Sequence, residues 1–113
     1  MKVIRISDSA AYAPPLHHGM VALKLSDEKL TGARRFWCGL SHFLPGGGAE
    51  WAYDDSPTEK LYVLLEGELT LRTGEGDQVL RKGDAAYLAP NEGRELVNHT
   101  NYPASMLVLV SNE

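Results

Sequence analysis

The chain has 113 residues, 43% of them apolar and 23% charged, and a net charge of −4 at neutral pH. That length suits one domain, 1–113, closing on a single core. The acidic balance and the lack of any Lys/Arg cluster weigh against nucleic acid, whose phosphates call for a basic stripe.

The start, Met1-Lys2-Val3-Ile4-Arg5-Ile6-Ser7-Asp8, lacks the continuous apolar stretch of a signal peptide. The longest apolar run, residues 106–110, falls far short of a membrane span. A cytoplasmic protein without membrane contact is expected. Cys38 is the sole cysteine, so no internal disulfide can form. With Phe36 and Leu40 at strand spacing around it, it reads as a small core residue.

The pattern predicts strands, in chain order, over residues 3–6, 20–25, 34–43, 60–65, 68–72, 78–80, 85–88, 94–98 and 105–110. Only residues 26–30 could form a helical turn. Turn chemistry fills the gaps: Pro45-Gly46-Gly47-Gly48, Glu66-Gly67, Thr73-Gly74-Glu75-Gly76-Asp77, Lys82-Gly83-Asp84 and Pro90-Asn91-Glu92-Gly93. Short strands punctuated in this way indicate an all-β sandwich or barrel.

Along residues 60–65, Lys60, Tyr62 and Leu64 share one face while Leu61, Val63 and Leu65 share the other. Neither face is polar, so the outer one needs a cover. An N-terminal strand of the same chain or a second subunit could supply it, and a homodimer does so economically, removing exposed apolar sheet and open edges together.

Gly47 through Gly67 and Gly83 through Asn98 resemble the two signature motifs of the cupin barrels, usually written G(X)5HXH(X)3-4E(X)6G and G(X)5PXG(X)2H(X)3N. Gly47, Gly67, Gly83 and Asn98 match, and the resemblance covers roughly residues 46–98. It implies a cupin-type double-stranded β-helix, or jelly-roll barrel. At the metal-ligand positions, however, this chain places Tyr53, Asp55, Lys60 and Arg94, and Ala89 and Asn91 replace the motif's proline and glycine.

A typical cupin holds its metal with imidazoles and one carboxylate. Lys60 and Arg94 have no lone pair to give as cations, Tyr53 ligates only as a phenolate, and one carboxylate, Asp55, does not hold a transition metal. No metal and no other cofactor is therefore expected. A displaced site built from His42, Asp55 and Glu59 is the alternative. His17 and His18 are adjacent and face opposite ways on a strand, and His99 has the opposite parity to Arg94.

Motif positions project into the barrel, so Tyr53, Asp55, Lys60 and Arg94 are expected to meet there, with Tyr62 beside Lys60 and His42 near the mouth. Either Asp55 pairs with the cations in a self-satisfied network, or an excess of positive charge serves a small anionic ligand. In the second case Arg94 grips a carboxylate, assisted by Tyr62 and His42, while Lys60 is the base, Tyr53 the proton donor and Asp55 the relay. Such a set suits metal-independent proton transfer on a carboxylate or carbonyl metabolite: isomerisation, cyclisation, dehydration or decarboxylation. Two other functions stay open at this point, a non-enzymatic binding or sensing module and a metal-dependent dioxygenase or isomerase with non-standard ligands.

Overall fold

The computed structural model describes residues 1–112. Nine strands account for most of it: β1 (Ala11–Tyr12), β2 (His17–Ser26), β3 (Phe36–Ala52), β4 (Lys60–Glu66), β5 (Glu68–Thr73), β6 (Gly76–Arg81), β7 (Ala85–Leu88), β8 (Arg94–Val97) and β9 (Ala104–Ser111). The single α-helical turn, α1 (Glu28–Thr31), is capped by the Asp27 side chain, which accepts from the Leu30 amide at 2.8 Å. The fold is the expected all-β jelly-roll barrel.

Antiparallel pairing runs β6-β5-β8-β3-β9-β4-β7, with β2 on β3 and β1 on β2. β3 belongs to both halves of the barrel. Its first part pairs with β9, from Phe36 opposite Ser111 to Phe43 opposite Ala104, and its last part pairs with β8, from Gly48 opposite Val97 to Ala52 opposite Arg94.

That bent strand corrects the reading of Pro45-Gly46-Gly47-Gly48 as a turn. Gly46 does supply a positive φ of +79, but Gly47 and Gly48 serve close backbone approach. A Cβ on Gly48 would lie 2.0 Å from the Leu96 carbonyl oxygen, and one on Gly47 would lie 2.0 Å from that of Gly19. Asn98 clips the bend: its amide donates to the Gly47 carbonyl, its carbonyl accepts from the Gly46 amide, and its Nδ2 donates to the Phe43 carbonyl at 3.2 Å.

Two smaller expectations also change. Residues 3–6 form no strand; a 3-10 turn, Ile6–Asp8, follows instead, because no neighbouring strand offers them a ladder. Cys38 is half-buried rather than a core residue, since the inward face of β3 here carries Trp37, Ser41 and Phe43.

The core fills the barrel with Phe43, Leu64, Leu69, Leu71, Leu96 and Met106. Each such side chain contributes about 1.5–3 kcal/mol on leaving water. β4 alternates as expected: Lys60, Tyr62 and Leu64 are buried, while Leu61 and Leu65 remain 37% and 40% exposed. Among the described residues, no helix is long and apolar enough to cross a membrane.

Candidate functional site

One end of the barrel holds a cavity of about 200 Å³. Phe43, Leu96, Met106, Val108 and Val110 form an apolar lining, and the rings of Tyr12, Trp37 and Tyr53 stand around it. The charged groups in its wall are Lys60 and Arg94; no aspartate or glutamate lines it.

Register places both cations. Lys60 opens β4 between Leu88 of β7 and Val110 of β9. Arg94 opens β8, opposite Ala52 at the end of β3, so the next residue, Tyr53, emerges beside the guanidinium. Tyr53 has φ +71, a left-handed conformation that costs a non-glycine residue on the order of 1–2 kcal/mol. The centroid of its ring lies 4.5 Å from the Lys60 Nζ and 4.8 Å from the Arg94 Cζ, so one aromatic ring attends both cations.

Both residues are buried, with Lys60 4% and Arg94 2% exposed. Arg94 Nε donates to the Tyr62 hydroxyl at 2.9 Å and its Nη1 to the Glu50 carbonyl at 2.8 Å. Lys60 Nζ donates to Thr58 Oγ1 at 3.2 Å. Among the described residues neither cation meets a carboxylate in an ion pair. Arg94 Nη2 has no protein partner there either. Because every fully enclosed side-chain nitrogen and oxygen has one, Nη2 opens onto accessible space, and the space Arg94 borders is the cavity.

These surroundings shift protonation. Burial, and then the Arg94 charge, push the Lys60 ammonium below its ordinary pKa. Burial raises the Tyr62 phenol, with the Arg94 charge and hydrogen bond opposing. Tyr62 therefore remains a phenol that holds the guanidinium in place.

Tyr53, Lys60, Tyr62 and Arg94 come together as the motif spacing implied. Asp55 and His42 do not. Asp55 is exposed, because β3 ends at Ala52 and the left-handed Tyr53 turns the chain before strand alternation could carry the carboxylate inward. His42 points to the opposite face of β3 from Ser41 and Phe43, with its Nδ1 2.7 Å from Ser105 Oγ.

The displaced metal set fails on the same geometry. Glu59 is exposed and accepts from the Tyr87 hydroxyl at 2.5 Å, and among the described residues no three His, Cys, Asp or Glu side chains gather as a metal site. Ammonium and guanidinium at the motif positions do not fit a transition ion.

Sequence reasoning missed Tyr12, His17 and Trp37, which all line the cavity. The alternation of Trp37 with Phe36 was legible. For His17 the sole signal was that one of two adjacent histidines had to face inward.

The profile of the cupin domain matches residues 39–110. The chain is a cupin. A Mycobacterium tuberculosis protein named beta-D-galactosidase is 38% identical over 99% of this chain and 95% of its own length. Among solved structures, this cupin resembles the polyketide cyclase RemF of Streptomyces resistomycificus (TM-score 0.86, 22% identity, 100% of this chain and 80% of that one). It also resembles a cupin-superfamily sugar phosphate isomerase of Silicibacter pomeroyi (TM-score 0.83, 21% identity, 100% and 76%). At these identities the two structures speak for the fold alone.

Proposed function

We propose that this cupin binds a small carboxylate that also carries a carbonyl, and moves a proton on it without a metal. One observation carries the reading: Lys60 and Arg94 are buried in the wall of one cavity, and no acidic side chain lines it. A buried charge is costly unless compensated, and here hydroxyls, a backbone carbonyl and one aromatic ring do the compensating. An anionic ligand completes what these partial charges leave undone.

Roles follow from position. Arg94 presents Nη2 to a carboxylate, with Tyr62 bracing it. Lys60 and Tyr53 are the proton-moving groups, and the depressed pKa of Lys60 makes its proton easier to give. The apolar lining lowers the polarity around them, which strengthens charge interactions inside. A second copy of the chain covers Phe36, Leu61, Leu65 and Tyr87, which stand exposed on the outside of the barrel.

Hydrolysis of a β-D-galactoside is the second reading. It comes from the name of the M. tuberculosis relative and from the rings of Tyr12 and Trp37, which could stack on the apolar face of a sugar. It lacks the pair of carboxylates that usually flanks a glycosidic bond during cleavage.

Calorimetric titration separates the two. The cupin should bind pyruvate, Arg94→Leu should abolish most of that binding, and o-nitrophenyl β-D-galactoside should not be hydrolysed. Hydrolysis of the galactoside without pyruvate binding would reverse the ranking.

A further inference from the structure

His17 lies in the wall of the same cavity as Lys60 and Arg94. Its Nδ1 is 2.7 Å from the carbonyl oxygen of Pro15. A carbonyl only accepts, so Nδ1 carries the proton and the neutral ring keeps its lone pair on Nε2. Nε2 has no protein partner among the described residues, and no fully enclosed polar atom is left without one, so it too opens onto accessible space.

The backbone is arranged around this ring at a cost. Leu16 has φ +60, left-handed for a bulky residue. Two contacts hold it there: the Glu50 amide donates to the Leu16 carbonyl at 2.8 Å, and His17 pairs with Ala49 on β3. Leu16 and Tyr53 are thus two non-glycine residues in a strained conformation, and each sets the direction of a side chain that lines the cavity. Strain of this kind persists where the surroundings over-determine it, and functional sites are where it gathers.

We infer that His17 is the general base of this cavity, its Nε2 removing a proton from the carbon next to the ligand's carbonyl while Arg94 holds the carboxylate. In that step the C–H bond breaks, an N–H bond forms on Nε2, and the electron pair moves into an enolate. The oxygen charge falls to the Lys60 ammonium and the Tyr53 hydroxyl. Return of the proton to the same or the neighbouring carbon completes the cycle, and no oxidant or reductant is needed. Lys60 then serves as donor and electrostatic partner.

The ionic surroundings agree with this division. Burial lowers the His17 pKa from its ordinary 6.5, the Pro15 bond opposes that, and the charges of Arg94 and then His18 add to the lowering. Lys60, Arg94, Tyr12, Tyr53 and Tyr62 are the other ionisable groups in the cavity wall, and no carboxylate stands among them to favour the imidazolium.

The inference rests on the proposed carboxylate-binding, proton-transfer function, and its test separates the two. Deuterium entry into the methyl group of pyruvate in D2O is followed by proton NMR, with pyruvate affinity measured alongside. His17→Asn keeps a donor for Pro15 and removes Nε2. Exchange should fall about 100-fold or more, with affinity changed less than about threefold. Exchange by H17N at the wild-type rate would overturn the role of His17 alone. Wild-type protein that neither binds nor exchanges pyruvate would overturn the function beneath it. Should H17N fail to fold, nitrogen NMR of wild-type His17 decides: a proton on Nδ1 supports the assignment, and a proton on Nε2 overturns it.

Discussion

Arg94 and Tyr62, 32 positions apart in sequence, meet inside the barrel, where the guanidinium Nε donates to the phenolic oxygen at 2.9 Å. With Nη1 committed to Glu50, this bond fixes the plane of the guanidinium and leaves Nη2 for the cavity. Tyr62→Phe should keep the fold and loosen Arg94, since an unsatisfied buried donor costs about 1–3 kcal/mol. Pyruvate binding should weaken roughly tenfold by calorimetry, whereas unchanged affinity would mean that Tyr62 only fills space.

Truncating Arg94 should remove the proposed carboxylate grip itself. Arg94→Leu preserves bulk, and loss of one partner of a buried charged contact costs about 2–5 kcal/mol. Affinity for pyruvate should drop by roughly one to three or more orders of magnitude. Arg94→Lys should rescue little, because an ammonium cannot reproduce the guanidinium's bonds to both Tyr62 and Glu50.

Lys60 should weaken the unliganded fold and serve its function. Its folded pKa is depressed, so between that value and the ordinary 10.5 the unfolded chain binds more protons. Stability should therefore rise with pH across that window, and the penalty is present at pH 7. Lys60→Met should leave the melting temperature at pH 7 equal or higher while pyruvate exchange falls more than affinity. A clear loss of stability would show Lys60 to be a structural cation.

Two depressed groups set the expected rate profile. His17 must be neutral to accept a proton, so exchange should fall on the acid side at a pKa below 6.5. Lys60 must be charged to donate, so exchange should also fall on the alkaline side, below 10.5. In H17N the acid limb should vanish from the residual rate. An acid limb that survives this substitution would belong to another group.

Elemental analysis of tag-free protein should find far less than one iron, manganese, nickel or zinc per chain. A value near one would require ligands other than the side chains at Tyr53, Lys60 and Arg94.

Much of this architecture was legible because strand alternation and motif spacing are local rules. Lys60, Tyr62 and Leu64 inward followed from parity, and counting back from Gly67 and forward from Gly83 brought Tyr53, Lys60 and Arg94 to one cavity. Parity failed where the backbone leaves the strand region. Left-handed Tyr53 sends Asp55 outward, and left-handed Leu16 precedes an inward His17. Neither leucine nor tyrosine advertises a positive φ. Two glycines of β3 were misread for the opposite reason: turn residues at Gly47 and Gly48 serve a close crossing of strands, which depends on residues such as Gly19 and Leu96 far away in sequence.

The central claim is that Lys60 and Arg94 form an anion site awaiting its ligand, and a crystal structure with pyruvate bound tests it most directly. The account predicts a carboxylate oxygen about 2.8 Å from Arg94 Nη2, with the carbonyl oxygen toward Lys60 Nζ. Water alone in the cavity at saturating pyruvate, or a carboxylate turned away from Arg94, would contradict it.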